Sequence, residues 1–321
     1  MDTQLASKIL GFLYEDLNPA QGFHIKKPLL AHYTSMTNLV SILRESQIWF
    51  SNPLYMNDMQ EVTAGMIVGA NIFESSVELK NSCGSAEKFN SLRNYWMGLH
   101  QHFADKHLLD TYVFSLSRHQ TDDNDGKLSM WRGYGGNGSG AAIVLDTAKI
   151  NMVVGSPLII SEVEYITNEQ RVNWIKDKIV KLAELLNGKG VDDEDFRSAA
   201  YQFFYRLMVF SLMTKHKGFE EEEEWRVVYV PMIDKEKRLH SMFSYWNGPR
   251  GLEPKLKFDV RPIDGLTDPN LSLSNLIHSI ILGPTQSMPF AKAMVQRMLT
   301  EIGKPEMVDR VVSSKIPYRF T

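Results

Sequence analysis

The chain carries one cysteine, Cys83, in 321 residues. That excludes an intrachain disulfide and a zinc site built on several cysteines, and a lone thiol of this kind reads as a small core filler. Charge of one sign is also scarce: 35 Lys+Arg against 38 Asp+Glu leave a formal −3. A chain so balanced does not bind nucleic acid over its whole surface, and such binding needs a local patch. No apolar run approaches the roughly 20 residues that cross a bilayer, so no membrane partner is expected. The N-terminus has no basic segment followed by an apolar core, so no signal peptide is expected, and a reducing cytoplasm is the expected location. Internal repeats and low-complexity linkers are lacking. The nine histidines include no His-Glu-x-x-His pair, and no metal site is expected. A Gly-x-Ser-x-Gly elbow is missing, which disfavours a serine hydrolase. The glycines of 133–140 do not stand between a strand and a helix in dinucleotide-binding order. The acidic turn Asp122 to Gly126 lacks the twelve-position spacing of a calcium loop.

What is present is globular: 43% hydrophobic and 23% charged residues, enough chain for a large core. The most informative stretch runs from Leu30 to Leu43. Leu30 to Tyr33 reads as a short buried strand. Ser35 is placed as an N-cap, and Met36, Leu39, Val40 and Leu43 fall on one face of the helix that follows. The strand delivers His32, Tyr33 and Thr34 to a helix N-terminus, where free amides and the dipole favour an anion. Further strands are expected over 47–51, 111–117, 141–146, 158–166, 225–230, 255–260, 279–282 and 309–313. Helices are expected over 3–16, from Asn57 or Asp58 (as cap) to about 79, then after Ala86, over 127–133, 168–186, 192–216 and 286–302. Short strands without regular helices between them favour an α+β fold over a doubly wound sheet. The whole chain, 1–321, is expected to be one domain, with the helical pair at 168–217 inserted into it.

Five consecutive glutamates, Glu220 to Glu224, abut Trp225-Arg226-Val227-Val228-Tyr229-Val230 with no intervening turn. Read as one strand, Glu222, Glu224 and Arg226 share a face. Two carboxylates at that spacing suit a site in which one orients a substrate while the other stabilises charge or takes a proton. Ser115 and Ser117 flank Leu116 on the strand of 111–117, and Lys215 and Lys217 form a small basic spot before the glutamates.

These segments, in this order, resemble the DUF2971 family of bacterial proteins. The residues that carry the resemblance are Ile48-Trp49-Phe50-Ser51, Asn57-Asp58, Phe114-Ser115, Met130-Trp131-x-x-Tyr134, Glu222-x-Glu224-Trp225-Arg226, Ile280-Ile281-Leu282-Gly283-Pro284 and Ser314-x-Ile316-Pro317-Tyr318-Arg319. The usual Asn-Asp-Pro-Phe stands here as Asn57-Asp58-Met59-Gln60. His32-Tyr33-Thr34 followed by Asn38-Leu39 is also similar to the opening of ADP-ribosyltransferases. In that superfamily a His-x-Thr strand holds NAD, a middle strand carries Ser or Tyr, and a late strand presents a catalytic Glu. His32, Ser115 with Tyr134, and Glu224 occupy those places in order.

The resemblance implies a compact, split mixed sheet and NAD as substrate. His32 would hold a ribose hydroxyl, Thr34 with Asn38 the adenosine side, and Tyr33 or Tyr134 would stack on nicotinamide. Glu224 would stabilise the oxocarbenium-like sugar, Glu222 would orient or deprotonate the acceptor, and Arg226 would balance the carboxylates or bind pyrophosphate. The implied role is a toxin or anti-phage effector modifying nucleic acid, RNA ahead of DNA, with an antitoxin protein as a further partner and Lys215 and Lys217 steering the strand. The other readings are a protein ADP-ribosyltransferase, an NAD glycohydrolase, an RNA 2′-phosphotransferase and a non-catalytic nucleotide-binding module.

Overall fold

The structure, a computed structural model, describes residues 3–17, 22–56, 59–187, 191–248, 251–286 and 289–318. The chain forms two compact units, Met1–Ala20 with Pro53–Thr111 and Val163–Phe219, and Gln21–Asn52 with Tyr112–Glu162 and Glu220–Thr321. Among the described residues the strands are β1 (Leu29–Thr34), β2 (Gln47–Ser51), β3 (Tyr112–His119), β4 (Ala141–Asp146), β5 (Leu158–Glu162), β6 (Glu164–Ile166), β7 (Thr214–His216), β8 (Glu224–Tyr229), β9 (Phe243–Gly248), β10 (Gly251–Asp259), β11 (Ile277–Leu282) and β12 (Val311–Ser313). The protein is α+β, with a mixed many-stranded sheet and many helices.

The first unit is helical. Its main helices are Thr3–Leu13, Met59–Ser75, Ala86–His102, Asn168–Leu186 and Asp193–Leu212, and it holds the small parallel pair β6–β7. The helices of 168–217, expected as an insertion, share this unit with residues from 1–20 and 53–111. Capping boxes start its two long helices, Thr167 with Gln170 and Asp192 with Asp195. The core is aromatic: Phe73 stacks on Trp96 at 4.2 Å, and Trp96 on Phe203 at 5.3 Å. Gly69 lets helix 59–75 approach helix 193–212, since a Cβ there would lie 2.3 Å from Leu207 Cδ2.

Two buried cations tie the first helix to the long pair. Arg206 donates from Nε to the Leu13 carbonyl at 3.0 Å and from Nη2 to Asp16 Oδ2 at 2.9 Å. Lys178 donates to the Phe12 carbonyl at 2.6 Å, and its ammonium lies 3.5 Å from Asp16 Oδ1. Trp174 Nε1 adds a third donor to Asp16 at 2.7 Å.

The second unit carries ten of the described strands in one sheet. The order β12-β11-β4-β1-β3-β2-β10-β9 is joined by β8, which pairs β3, and by β5, which pairs β8. The pairs are antiparallel except β11–β12. One face buries Leu39 and Leu43 from helix Met36–Glu45 against Leu30, Phe50, Phe114 and Trp225. On the other face a smaller cluster joins Ala31, Tyr33, Met130 and Trp131.

Three expectations change. The strand expected over 158–166 is two strands in different units, β5 and β6. The helix expected to reach 216 ends at Leu212, where Met213 caps it and β7 begins. The hairpin partner of β10, β9, was not foreseen, because only its own register with β10 pulls Phe243–Gly248 into the sheet. The cap expected at Asn57 or Asp58 lies outside the described residues.

Burial pushes the Asp16 carboxyl up, but the Trp174 hydrogen bond and the charges of Arg206 and Lys178 outweigh it and hold the group below its ordinary value. Its contribution to stability is therefore full above the ordinary carboxylate range and fades as pH falls through the lowered value. Asp16→Ala leaves two buried cations short of their partner and is expected to cost about 2 kcal/mol, less than for a wholly buried pair because Asp16 keeps some water. Urea denaturation at neutral pH checks this, and the gap from the parent should narrow in acid.

Candidate functional site

The site is organised by the way β3 shares its edges. One edge is paired with β8 without interruption, from Tyr112↔Tyr229 to Ser117↔Glu224. The other edge is divided. β1 takes only its far end, Leu29↔His119 to Ala31↔Ser117, and β2 touches it only at Ser51↔Val113. Residues 114–116 therefore face a gap where β1 and β2 diverge. β1 leaves β3 after Ala31 while staying paired with β4 through Thr34.

His32 stands at the point of departure. Its Nδ1–H donates to the Ser115 carbonyl at 3.2 Å, a side chain filling in for a lapsed ladder bond. A carbonyl only accepts, so Nδ1 carries the proton and Nε2 of the neutral ring is bare. The ring also packs on Phe114, with centroids 4.6 Å apart. Burial pulls the His32 pKa down to about 4 against the opposing effect of the Ser115 bond.

Across the sheet, Ser117 stands opposite Glu224 and Ser115 opposite Arg226. These four side chains share the face away from Phe114, Leu116 and Trp225. Glu224 and Arg226 are 4% and 2% exposed, and form a two-point ion pair, Nε to Oε1 at 2.8 Å and Nη2 to Oε2 at 3.1 Å. Ser115 Oγ is buried and has no hydrogen-bond partner among the described residues.

Glu222 is not on this strand. Residues Lys217–Glu222 form a 3-10 turn, and Glu223 has φ 42°, a left-handed conformation that reverses the chain before β8 starts at Glu224. The expected sharing of one strand face by Glu222 and Glu224 thus fails, and the reason is that single residue. The turn is pinned from β3: Arg118 N donates to the Glu223 carbonyl at 2.9 Å and Ser117 Oγ to the Glu222 carbonyl at 2.6 Å. The Glu222 side chain, half-buried, accepts from Tyr134 OH at 3.1 Å.

The remaining expected residues divide. Thr34 Oγ1 accepts from Asn38 Nδ2 at 3.1 Å, and Ser35 caps the helix by accepting the Asn38 amide at 3.2 Å. Tyr33 is buried edge-on against Trp131 at 4.8 Å, and its hydroxyl accepts the Lys127 amide at 2.8 Å. Tyr134 is 41% exposed, against 5% for Tyr33. The Arg226 fork, a candidate for pyrophosphate, is closed on Glu224. Lys215 belongs to the helical unit, where it is buried with its ammonium 4.7 Å from the centre of the Phe219 ring, so it has no surface for steering a ligand.

Sequence reasoning missed Lys127. Its ammonium donates to Ser117 Oγ at 3.1 Å and pairs with Glu223 at 2.5 Å. No local pattern marks it, since only the turn Asp122 to Gly126 brings it under β3. That turn is an Asx loop, with Asp123 Oδ1 accepting the amides of Asp125 and Gly126. The tail holds it from outside, Ser314 Oγ donating to the Asp125 carbonyl at 2.9 Å. Two glycines of 133–140, Gly135 and Gly140, serve close approach. A Cβ on Gly140 would stand 2.1 Å from the Thr34 carbonyl.

Residues 130–227 match the family model described as "Protein of unknown function (DUF2971)". The match supports the DUF2971 resemblance. It runs from Met130 in the short helix over Tyr33 to Val227 in β8, and so takes in Tyr134, Glu222, Glu224 and Arg226. No curated protein and no solved structure matches the chain.

The His32 assignment has a pH signature. A folded pKa of about 4 against 6.5 in the open chain means that the unfolded state binds the extra proton between those values. The stability held by neutral His32 is complete above about pH 6.5 and declines as pH falls toward 4. His32→Gln is expected to flatten the stability profile by up to one proton over this window. Denaturation curves of the two proteins from pH 4 to 7.5 check it, and identical slopes would show that His32 is not the titrating group.

Proposed function

We propose that the polar face of β3 and β8 is the site of an NAD-dependent ADP-ribosyltransferase. The observation that carries the reading is the divergence of β1 from β3 at His32, which opens a strand edge beside Ser115 within one sheet of the Glu224–Arg226 pair. The divergence supports the reading because the ADP-ribosyltransferase resemblance implies a sheet that splits.

In this reading the site wraps the opened edge: His32 and Thr34 with Asn38 stand on the Phe114 side of the sheet, opposite the face of Glu224, and would hold the ribose and adenosine from there. Ser115, whose hydroxyl has no protein partner among the described residues, offers a hydrogen bond to the sugar. Tyr134 supplies the exposed ring for nicotinamide. The C–N bond between nicotinamide and ribose breaks, nicotinamide leaves with the electron pair, and positive charge develops on the sugar. A carboxylate already in place stabilises charge that exists only in the transition state. Arg226 holds Glu224 in one rotamer, and Glu222, more exposed and held by Tyr134, takes the proton from the acceptor as its oxygen or nitrogen bonds to the sugar carbon.

The acceptor we favour is single-stranded nucleic acid, RNA ahead of DNA. Trp49 and Trp246 are part-exposed on β2 and β9, and Lys257 lies 4.3 Å from the centre of the Trp49 ring; Lys255, 5.5 Å from Trp246, is buried and paired with Glu253 at 2.9 Å. Exposed aromatic rings with a neighbouring lysine suit stacked bases and a phosphate. Such an enzyme would act as a toxin or anti-phage effector, and an antitoxin protein would be its natural partner.

The test is incubation with NAD labelled in its adenylate phosphate, together with total RNA, DNA or cell protein. Label is expected on RNA, with Glu222→Gln lowering the rate about 10²-fold. Glu224→Gln should lower it as much or more, but it also strips Arg226 of its partner, so its melting temperature must be read alongside. Label released as free ADP-ribose would make water the acceptor and the protein a glycohydrolase. No labelled product of any kind from well-folded wild-type protein would overturn the enzyme reading.

A further inference from the structure

The opposite face of the same sheet holds a cavity of about 120 Å³, partly open to solvent and lined mainly by carbon. Leu30, Phe50, Phe114, Leu116, Ile160 and Val227 form its walls. Phe114, Leu116 and Val227 alternate along β3 and β8 with Ser115 and Arg226, so this space lies on the other side of the strands from the polar cluster.

The few polar residues around it are already spoken for by the chain. Thr147 Oγ1 donates to the Pro28 carbonyl at 2.6 Å. Thr267 Oγ1 donates to the Arg261 carbonyl at 3.1 Å and accepts the Ile263 amide at 2.7 Å. Asp268 accepts the amides of Asn151 and Asn270, each at 2.7 Å. Ser156 Oγ accepts the Leu158 amide at 3.3 Å, and Asn151 Oδ1 accepts from Lys27 at 3.2 Å. None of these bonds points a spare charge into the space. Apart from Asp268, whose carboxylate accepts two backbone amides, the lining carries no charged side chain among the described residues, and the cavity's volume is close to that which takes up benzene in engineered protein cavities.

Part of the lining is a strap, the segment between β4 and β5, which contributes Met152 and Val153 while Val154 stands fully exposed. Lys27, through the Ile150 carbonyl, and Asp268, through the Asn151 amide, clasp the strap in place.

We propose that this cavity is a binding site for an uncharged ligand with a single aromatic ring or a hydrocarbon group of that size. Phe114 separates the ligand from the His32 ring, 4.6 Å beyond it, so an occupant bears on the residue packed against His32. The proposal stands whether or not the polar face uses NAD.

The test uses benzene as probe and the full chain. Melting curves in benzene-saturated buffer are expected to lie above those in plain buffer. Leu266→Phe and Leu271→Phe add bulk to the wall far from Ser115 and Glu224, and each is expected to reduce the benzene-dependent shift at least twofold. Crystals under xenon pressure should show the gas between Phe114 and Ile160. If either variant fails to fold, the other and the xenon position decide. No shift in the wild type, the same shift in a folded filled variant, or xenon bound only elsewhere would overturn the proposal.

Discussion

The shared edge of β3 is the constraint on which the sheet unit depends. A strand has two edges, and β8 occupies one of them completely. β1 and β2 must then divide the other, and neither reaches across residues 114–116. Left bare, the carbonyl of Ser115 would be an acceptor in a partly desolvated gap, which is costly. His32 meets that need with its ring, and so cannot easily be replaced by an apolar residue even if it has no chemical role. The same stretch buries the Ser115 hydroxyl on one face and sets Phe114 as the wall of the apolar cavity on the other. A polar cluster and an apolar pocket thus arise from the two faces of one three-residue stretch.

The ion pair of Glu224 and Arg226 is the second cost in this region. Both charges are almost wholly removed from water, and the two-point geometry is what makes that tolerable. Well-packed apolar residues would serve stability as well. Glu223 belongs to the same economy. Its left-handed backbone costs about a kilocalorie for a residue that is not glycine, and it is held by Arg118 and Lys127 from either side.

Much of the local architecture was legible in the residues. The Ser35 cap, the helix after it with Leu39 and Leu43 inward, and the strands of 47–51 and 141–146 stand where their patterns place them. The reason is that caps and periodic burial act over a few residues, within reach of the sequence alone. The errors fall where partners are distant. The stretch 158–166 is uniformly strand-like, yet β5 pairs β8 while β6 pairs β7 in the other unit. The glutamate run looked like the start of a strand, and pinning by Arg118 and Ser117 turned it into a 3-10 segment instead. Lys127 was silent because its neighbours in the chain have nothing to do with its neighbours in space.

The residues alone settled the α+β class, the order of the chief elements and the composition of both sides of the sheet, because alternation and capping are read over a handful of positions. Tertiary structure decided which of those residues meet. It closed Arg226 on Glu224, buried Tyr33 under Trp131, took Glu222 off the strand and left Tyr134 exposed. It also decided that the sheet opens at His32, since that depends on three strands competing for one edge. Edge competition is a matter of long-range pairing, and no window of sequence contains all three competitors.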